Sequence, residues 1–171
     1  MRRAFAVLAV AALAACQTME SEAPRATASL QPTKGSKTFG EATFEQVGSD
    51  RVRVVVFAQN LKPDGEHGFH IHEVGDCSSG DGMSAKGHFN PLGKPHGMPG
   101  PNSHAGDLPM LKAAKNGRGK LDTEIQGVTL GSGPTSIVGR GLIIHADPDD
   151  FKTQPTGNSG GRLACGVIRA G

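Results

Sequence analysis

Histidines are the residues of this sequence whose type and spacing point most directly to chemistry. The chain has 171 residues and seven histidines, which are His67, His70, His72, His88, His96, His104 and His145. Three of them, His88, His96 and His104, follow one another at equal intervals, and Asp107 comes shortly after the last. Three imidazoles and one carboxylate make a four-ligand set that suits tetrahedral Zn²⁺. The spacing therefore predicts a zinc site, although Asp107 taken alone would be an ordinary turn residue.

The earlier histidines and the last one indicate a second site. In a strand, His70 and His72 point to one face, while Phe69 and Ile71 point into the core. His145 ends an apolar run, and a site of three or four imidazoles suits Cu²⁺. Taken singly, each of these histidines fits a solvated pair or a core-edge residue. Two neighbouring metals would have to share a ligand, and imidazolate can bridge through both of its nitrogens.

Short β-strands are the elements that must position these side chains. The candidate segments are 27–31, 38–47, 52–57, 67–73, 108–115, 119–128, 136–145 and 162–169. Asn116-Gly117 between two of them predicts a hairpin. Short strands at this spacing, without a helical period, predict an all-β antiparallel sandwich or barrel. Two irregular stretches, 74–107 and 146–161, are long enough to be functional loops, and we expect ligands to order them.

The N-terminal segment is typical of an export signal. Arg2 and Arg3 are followed by an apolar stretch, 4–15, that is too short for a hydrocarbon core of ~30 Å. The last residues of this segment, Leu-Ala-Ala-Cys at 13–16, resemble the bacterial lipobox, in which a peptidase exposes the cysteine for lipidation. An ordinary signal peptide in which Cys16 is incidental is the alternative.

These features divide the chain into three parts. We predict a signal peptide over 1–15, a lipidated N-terminus with a flexible polar tether over 16–26, and a folded domain over 27–171. Gln17 stands where an Asp would retain a lipoprotein in the inner membrane. The prediction is therefore a protein on the periplasmic side of the envelope, anchored to the outer membrane by a lipid on Cys16.

Charge and aromatic content exclude one class of partner. The chain has 18 Lys and Arg and 16 Asp and Glu, so removal of Arg2 and Arg3 with the signal leaves no formal net charge. Trp and Tyr are absent. Nucleic-acid binding depends on basic surfaces and, for single strands, on aromatic stacking, so we expect no nucleic-acid partner.

Cysteine usage fits an exported domain. Setting Cys16 aside leaves Cys77 and Cys165, an even pair in an oxidising compartment. A bridge between them would close a long loop and would stabilise the fold by ~4–5 kcal/mol in the loop-entropy model. Two buried free thiols are the alternative.

Taken together, the motifs resemble one family. They are Gly68-Phe69-His70-Ile71-His72, Gly87-His88-Phe89-Asn90-Pro91, Lys94-Pro95-His96-Gly97, His104-Ala105-Gly106-Asp107-Leu108 and Gly157-Asn158-Ser159-Gly160-Gly161-Arg162-Leu163-Ala164-Cys165-Gly166. In this order they resemble the copper/zinc superoxide dismutases, from about residue 27 to the C-terminus. The resemblance implies an eight-stranded antiparallel Greek-key β-barrel or sandwich with two long functional loops.

The resemblance also implies a role for each distinctive side chain. The copper ligands would be His70, His72, His88 and His145, and the zinc ligands His88, His96, His104 and Asp107. Asp149 would link a copper histidine to a zinc histidine, and Arg162 would hold the anionic substrate. Cys77 would form a disulfide with Cys165. His67 resembles a structural histidine of the family and is expected to have a packing role.

The implied reaction converts two superoxide ions to oxygen and hydrogen peroxide, with one copper and one zinc per subunit, as a protection of the cell envelope. His88 is expected to carry a proton in this cycle. Arg162 and the lysines Lys86, Lys94 and Lys152 are candidates for steering superoxide. A metal-delivery protein and a zinc hydrolase are the alternatives, disfavoured by the intact copper set and by the closed zinc set. Quaternary structure does not transfer within the family, so the sequence allows for a homodimer without predicting its interface.

Overall fold

The computed structural model describes residues 22–171. The predicted signal peptide over 1–15, Cys16 and the first part of the tether lie outside the described residues. Within 22–171 there are ten strands: β1 (Arg25–Pro32), β2 (Phe39–Gly48), β3 (Arg51–Gln59), β4 (Glu66–His67), β5 (Phe69–His72), β6 (Leu111–Lys112), β7 (Gly119–Gln126), β8 (Gly141–His145), β9 (Arg162–Val167) and β10 (Arg169–Ala170). In the same range the helical structure is a single 3₁₀ turn, Met83–Ala85, and no helix is long and apolar enough to cross a membrane.

Eight of these strands form one antiparallel sheet that curls into a half-barrel, in the order β5-β8-β9-β1-β2-β3-β7, with β10 also paired to β1. Strands far apart in the chain are thus neighbours, as β9 and β1 are. β4 and β6 pair separately. The predicted all-β antiparallel fold is confirmed.

Alternation along the strands explains where the core lies. On β3, Val52, Val54, Val56 and Ala58 are buried, and the residues between them face outward. Successive side chains of a strand point to opposite faces, so this pattern places one face of the sheet on the core. β1 begins at Arg25, and Ala26 is buried and paired with Phe44. The first two residues of β1 therefore lie within the stretch 16–26, for which a tether was predicted.

The strand containing the His-x-His motif is interrupted, which the sequence analysis did not predict. Residues 67–73 form β4 and β5 with Gly68 between them. The Gly68 N–H donates to the Asp147 carbonyl at 2.8 Å, and a Cβ at Gly68 would collide with the Ser159 side chain. A glycine at this position lets the loop after β8 approach the strand.

Two other predicted strands are shorter than expected, and the predicted hairpin is present. Within the segment 108–115 only Leu111–Lys112 forms a strand. Within 136–145 the strand begins only at Gly141, since a turn with Gly139 at φ +81° precedes it. The turn at Asn116-Gly117 is closed by a bond from the Gly117 N–H to the Ala114 carbonyl at 2.9 Å.

A disulfide fastens the long loop after β5 to the sheet. Cys77 in the loop is bonded to Cys165 on β9, with their Cα atoms 5.8 Å apart. The predicted pairing is confirmed. The loop 73–110 contacts the loop 146–161, as in the bond from the His96 N–H to the Gln154 side chain at 2.8 Å. These two loops supply most of the remaining site residues.

Candidate metal centre

The first group of histidines stands on paired strands. His70 and His72 lie on β5, which pairs with β8, where His145 is the last residue. His88 comes from the long loop and is held opposite His72 by an isolated β-bridge. One ligand atom from each of these four buried residues lies within 4.8 Å of the others. The side chains predicted to form a four-imidazole site are therefore brought together.

The second group stands on the loop alone. It contains His88, His96, His104 and Asp107, again with ligand atoms within 4.8 Å of one another and all four residues buried. Oδ1 of Asp107 lies 2.9 Å from Nδ1 of His88, 3.0 Å from Nδ1 of His96 and 3.4 Å from Nδ1 of His104. The three imidazoles thus turn the same ring nitrogen toward one carboxylate oxygen.

Hydrogen bonds fix which ring nitrogen of each histidine faces inward. His72 donates from Nδ1 to the Lys86 carbonyl at 2.7 Å, and His145 donates from Nδ1 to the Gly160 carbonyl at 3.3 Å. A neutral imidazole that donates from one nitrogen keeps a lone pair on the other. The two Nε2 atoms, 3.3 Å apart, therefore present lone pairs to the same space.

Asp149 connects the two groups. It is buried, and its Oδ2 accepts from Nε2 of His70 at 2.7 Å while its Oδ1 accepts from Nε2 of His96 at 2.9 Å. These bonds leave Nδ1 of each ring free to bind. Carboxylates that accept from ligating histidines fix the ring tautomer and orientation. Asp149 thus sets one imidazole of each group.

Three buried ring nitrogens at the centre make no hydrogen bond within residues 22–171. They are Nδ1 of His70, Nε2 of His88 and Nδ1 of His104, and the last of them lies 3.4 Å from Oδ1 of Asp107. An unsatisfied buried polar atom costs about 1–3 kcal/mol. An ion in the first group would bind the nitrogens of His70 and His88, and an ion in the second group would bind that of His104. The donor sets fit as well, since four imidazoles suit copper and three imidazoles with a carboxylate suit zinc.

Burial keeps the imidazoles of His70, His72 and His145 neutral. It lowers the pKa of His70 and of His72 well below the ordinary value, and it lowers the pKa of His145 to about 4. The neighbouring imidazoles of the first group lower all three further. Metal ligation requires the neutral form of the ring, so the site is ready to bind at neutral pH.

His67 supports the first group without joining it. The residue is 1% exposed and donates from Nδ1 to the His145 carbonyl at 2.8 Å. This bond ties β4 to the end of β8, where His145 leaves the sheet. A structural role agrees with the packing role expected for it.

A cavity of about 500 Å³ opens onto the first group. Its lining includes His72, His145 and Arg162, together with Lys34, Asp81 and Met83, which no sequence motif had marked. These three lie on turns that reach the site only through long-range pairing. One such contact joins the Lys34 N–H to the Gly80 carbonyl at 2.6 Å. No local pattern in the sequence marks such residues.

Arg162, at the start of β9, is held firmly at this cavity. Its guanidinium donates to the carbonyls of Gly82 and Lys86. Of the lysines at this end of the fold, Lys34 is among the residues that line the cavity, whereas Lys86, Lys94 and Lys152 are not. The Lys94 ammonium donates to the Pro101 carbonyl.

The sequence profile of copper/zinc superoxide dismutase (SODC) matches residues 38–168. The chain belongs to this family, whose two metals are those that the two groups fit.

Individual relatives are similar over most of their length. Cu-Zn superoxide dismutase 1 of Aquifex aeolicus is 43% identical over 141 residues, which cover 80% of this chain and 82% of that protein. The Cu-Zn superoxide dismutase of Deinococcus radiodurans is 40% identical over 149 residues, covering 78% and 79%. The crystal structure of the clock protein EA4 superposes with a TM-score of 0.77 at 40% identity, covering 87% of this chain and 96% of that one.

Proposed function

We propose that this chain dismutates superoxide, with copper bound by His70, His72, His88 and His145 and zinc bound by His88, His96, His104 and Asp107. The observation that carries the proposal is the position of His88, which belongs to both groups. Its Nδ1 faces Asp107 of the second group, and its buried Nε2 makes no hydrogen bond to any described residue. When bound, the copper supplies a one-electron couple, and the zinc supplies a fixed positive charge beside it.

The chain's own residues hold the substrate and move the proton. Arg162 binds the superoxide anion by a charge-assisted hydrogen bond, because its guanidinium lines the cavity beside His72 and His145. Its bonds to the Gly82 and Lys86 carbonyls keep the guanidinium from turning away. His88 takes up one proton at Nε2 and donates it to the reduced product, and water supplies the second proton of hydrogen peroxide. Asp149 keeps His70 and His96 in orientation throughout.

Two other functions fit the chain less well. A zinc hydrolase needs an open metal position, and Asp107 with three imidazoles fills a tetrahedral shell. A metal-delivery protein would share the ligands but has no need for an anchored arginine in the mouth of the cavity. Arg162 therefore favours the dismutase.

The test is superoxide dismutation by the full-length protein loaded with Cu²⁺ and Zn²⁺, against the His145→Ala variant. Rapid turnover that cyanide inhibits, and that the variant lacks, supports the proposal. Binding of both metals without turnover would replace it with the metal-delivery function. Loss of metal from the variant is measured separately by elemental analysis.

We also propose that the enzyme is exported and protects the cell envelope, anchored to the outer membrane by a lipid on Cys16. The support is the sequence alone, namely the charged and apolar segment that ends at the lipobox-like residues 13–16. Fractionation of cells that express the chain and its Cys16→Ser variant tests this. Wild-type protein that stays soluble after cell breakage would contradict the anchor. Light scattering of the same preparation decides whether the enzyme is a homodimer.

A further inference from the structure

Met83 stands at the mouth of the cavity that leads to the four-imidazole group. The cavity of about 500 Å³ is lined by Met83 together with His72 and His145. The Met83 residue is 60% exposed, so its thioether can meet an ion arriving from solvent. The superoxide reaction has no use for this side chain, which carries neither a charge nor a proton to give.

The turn that carries Met83 is well anchored. The Met83 N–H donates to Oδ1 of Asp81 at 2.9 Å, and the Lys86 N–H donates to the Met83 carbonyl at 3.0 Å. The flanking carbonyls, Gly82 and Lys86, are those that hold the Arg162 guanidinium. The backbone of Met83 is therefore fixed relative to the metal group, while its long side chain can swing.

The chemistry of the cavity selects for one oxidation state of copper. Arg162 and Lys34 are cations that line it, and Asp81 offsets only one of their charges. A thioether is a soft, neutral ligand, and soft ligands favour Cu⁺ over the harder Cu²⁺. In the four-imidazole group, His70 Nδ1 and His88 Nε2 are buried and make no hydrogen bond within the described part of the chain, so both can bind an ion. The two cationic side chains therefore repel Cu⁺ less than Cu²⁺, and the thioether binds Cu⁺ before it reaches the imidazoles.

We propose that Met83 is a docking ligand that captures Cu⁺ at the cavity mouth and passes it to His72 and His145. The transfer is an exchange of ligands, in which the thioether releases the ion as imidazole nitrogens bind it, and no electron or proton changes place. The proposal rests on the assignment of copper to the four-imidazole group.

The experiment measures uptake of Cu⁺ by zinc-loaded, copper-free, full-length protein, without oxygen, from a coloured Cu⁺ chelator complex. The variants are Met83→Leu and, as the matched control, Met98→Leu. Met98 is 68% exposed and is not among the cavity residues. We expect Met83→Leu to slow Cu⁺ uptake roughly tenfold, with the final copper content unchanged, and Met98→Leu to behave as wild type.

Uptake of Cu²⁺ by the same proteins separates ligation from a change in the shape of the mouth. Equal Cu²⁺ rates for wild type and Met83→Leu support the docking role. Slowing of Cu²⁺ to the same extent as Cu⁺, or a Cu⁺ rate equal to wild type, would overturn it. Failure of the wild type to retain any copper would instead overturn the copper assignment itself.

Discussion

The carboxylate of Asp149 lies directly against the α-carbon of Gly157. A Cβ at position 157 would overlap Oδ1 of Asp149 and crowd Nε2 of His96. Gly157 also has φ +64°, a conformation that other residues adopt only with strain. Asp149, which joins the two metal groups, therefore has room for its carboxylate only because residue 157 has no side chain.

Replacing Gly157 by Ala should weaken zinc binding by roughly 10–100-fold, the range found when carboxylates that orient metal-binding histidines are lost. Competition with a zinc chelator measures this. The matched control is Gly161→Ala in the same loop, where a Cβ would meet no atom within 4 Å. Comparable weakening in both variants would show a general loosening of the loop rather than displacement of Asp149.

Replacing Arg162 by Ala should leave both metals bound and remove most of the dismutase activity. The guanidinium contacts the Gly82 and Lys86 carbonyls rather than any metal-group residue. Elemental analysis and pulse-radiolysis rates measure the two effects. The control is Arg169→Ala on β10, at an exposed position. Full activity of the Arg162 variant at low superoxide concentration would contradict the substrate-holding role.

Replacing Lys34 by Glu should slow the reaction at low ionic strength by a factor of a few, with the difference fading as salt is added, because local charge steers small anions. Lys152→Glu changes the net charge equally at an exposed position away from the cavity lining. It should therefore have a smaller effect. Equal slowing by both variants would assign steering to net charge instead of to Lys34.

The metal-free protein should lose stability as the pH falls from about 6.5 toward 4. Burial lowers the pKa of His145 from its ordinary value of 6.5 to about 4. Between these values the unfolded chain binds a proton that the folded chain excludes, so the free energy of unfolding decreases by about 1 kcal/mol per pH unit for each such group. Above the unfolded value this contribution is fully present.

Denaturant titrations of chelator-treated protein at several pH values across this window measure the effect. His145→Gln should show a shallower decline than wild type, since one titrating group is gone. An unfolding midpoint that does not change with pH would contradict the prediction.

Much of the fold can be predicted from the sequence, because the side chains of a strand point alternately to the core and to solvent. On β3 the residues at every second position, Val52 to Ala58, are apolar and buried, although Phe57 on the other face is apolar and exposed. The shortened strands were not predictable, since the ends of β5 and β8 depend on contacts such as Gly68 with Asp147 from distant loops.

The metal-binding residues could be predicted for a different reason, which is that few residue types bind copper or zinc. The spacing of those residues in the sequence limits which of them can share one ion. The cavity could not be predicted from the sequence. Lys34 is brought to it by the pairing of β1 with β9, and Met83 is brought to it by a turn that is hydrogen-bonded to Arg162. Neither pairing leaves a local pattern in the chain.

The shared imidazole of His88 has a thermodynamic consequence. An ion in one group fixes the ring that the other group also uses, and Asp149 fixes a second ring in each. The binding free energies of the two ions are then coupled, and such coupling is reciprocal. An ion bound in the second group changes the affinity of the first group for its ion by some factor. An ion bound in the first group must change the affinity of the second group by the same factor.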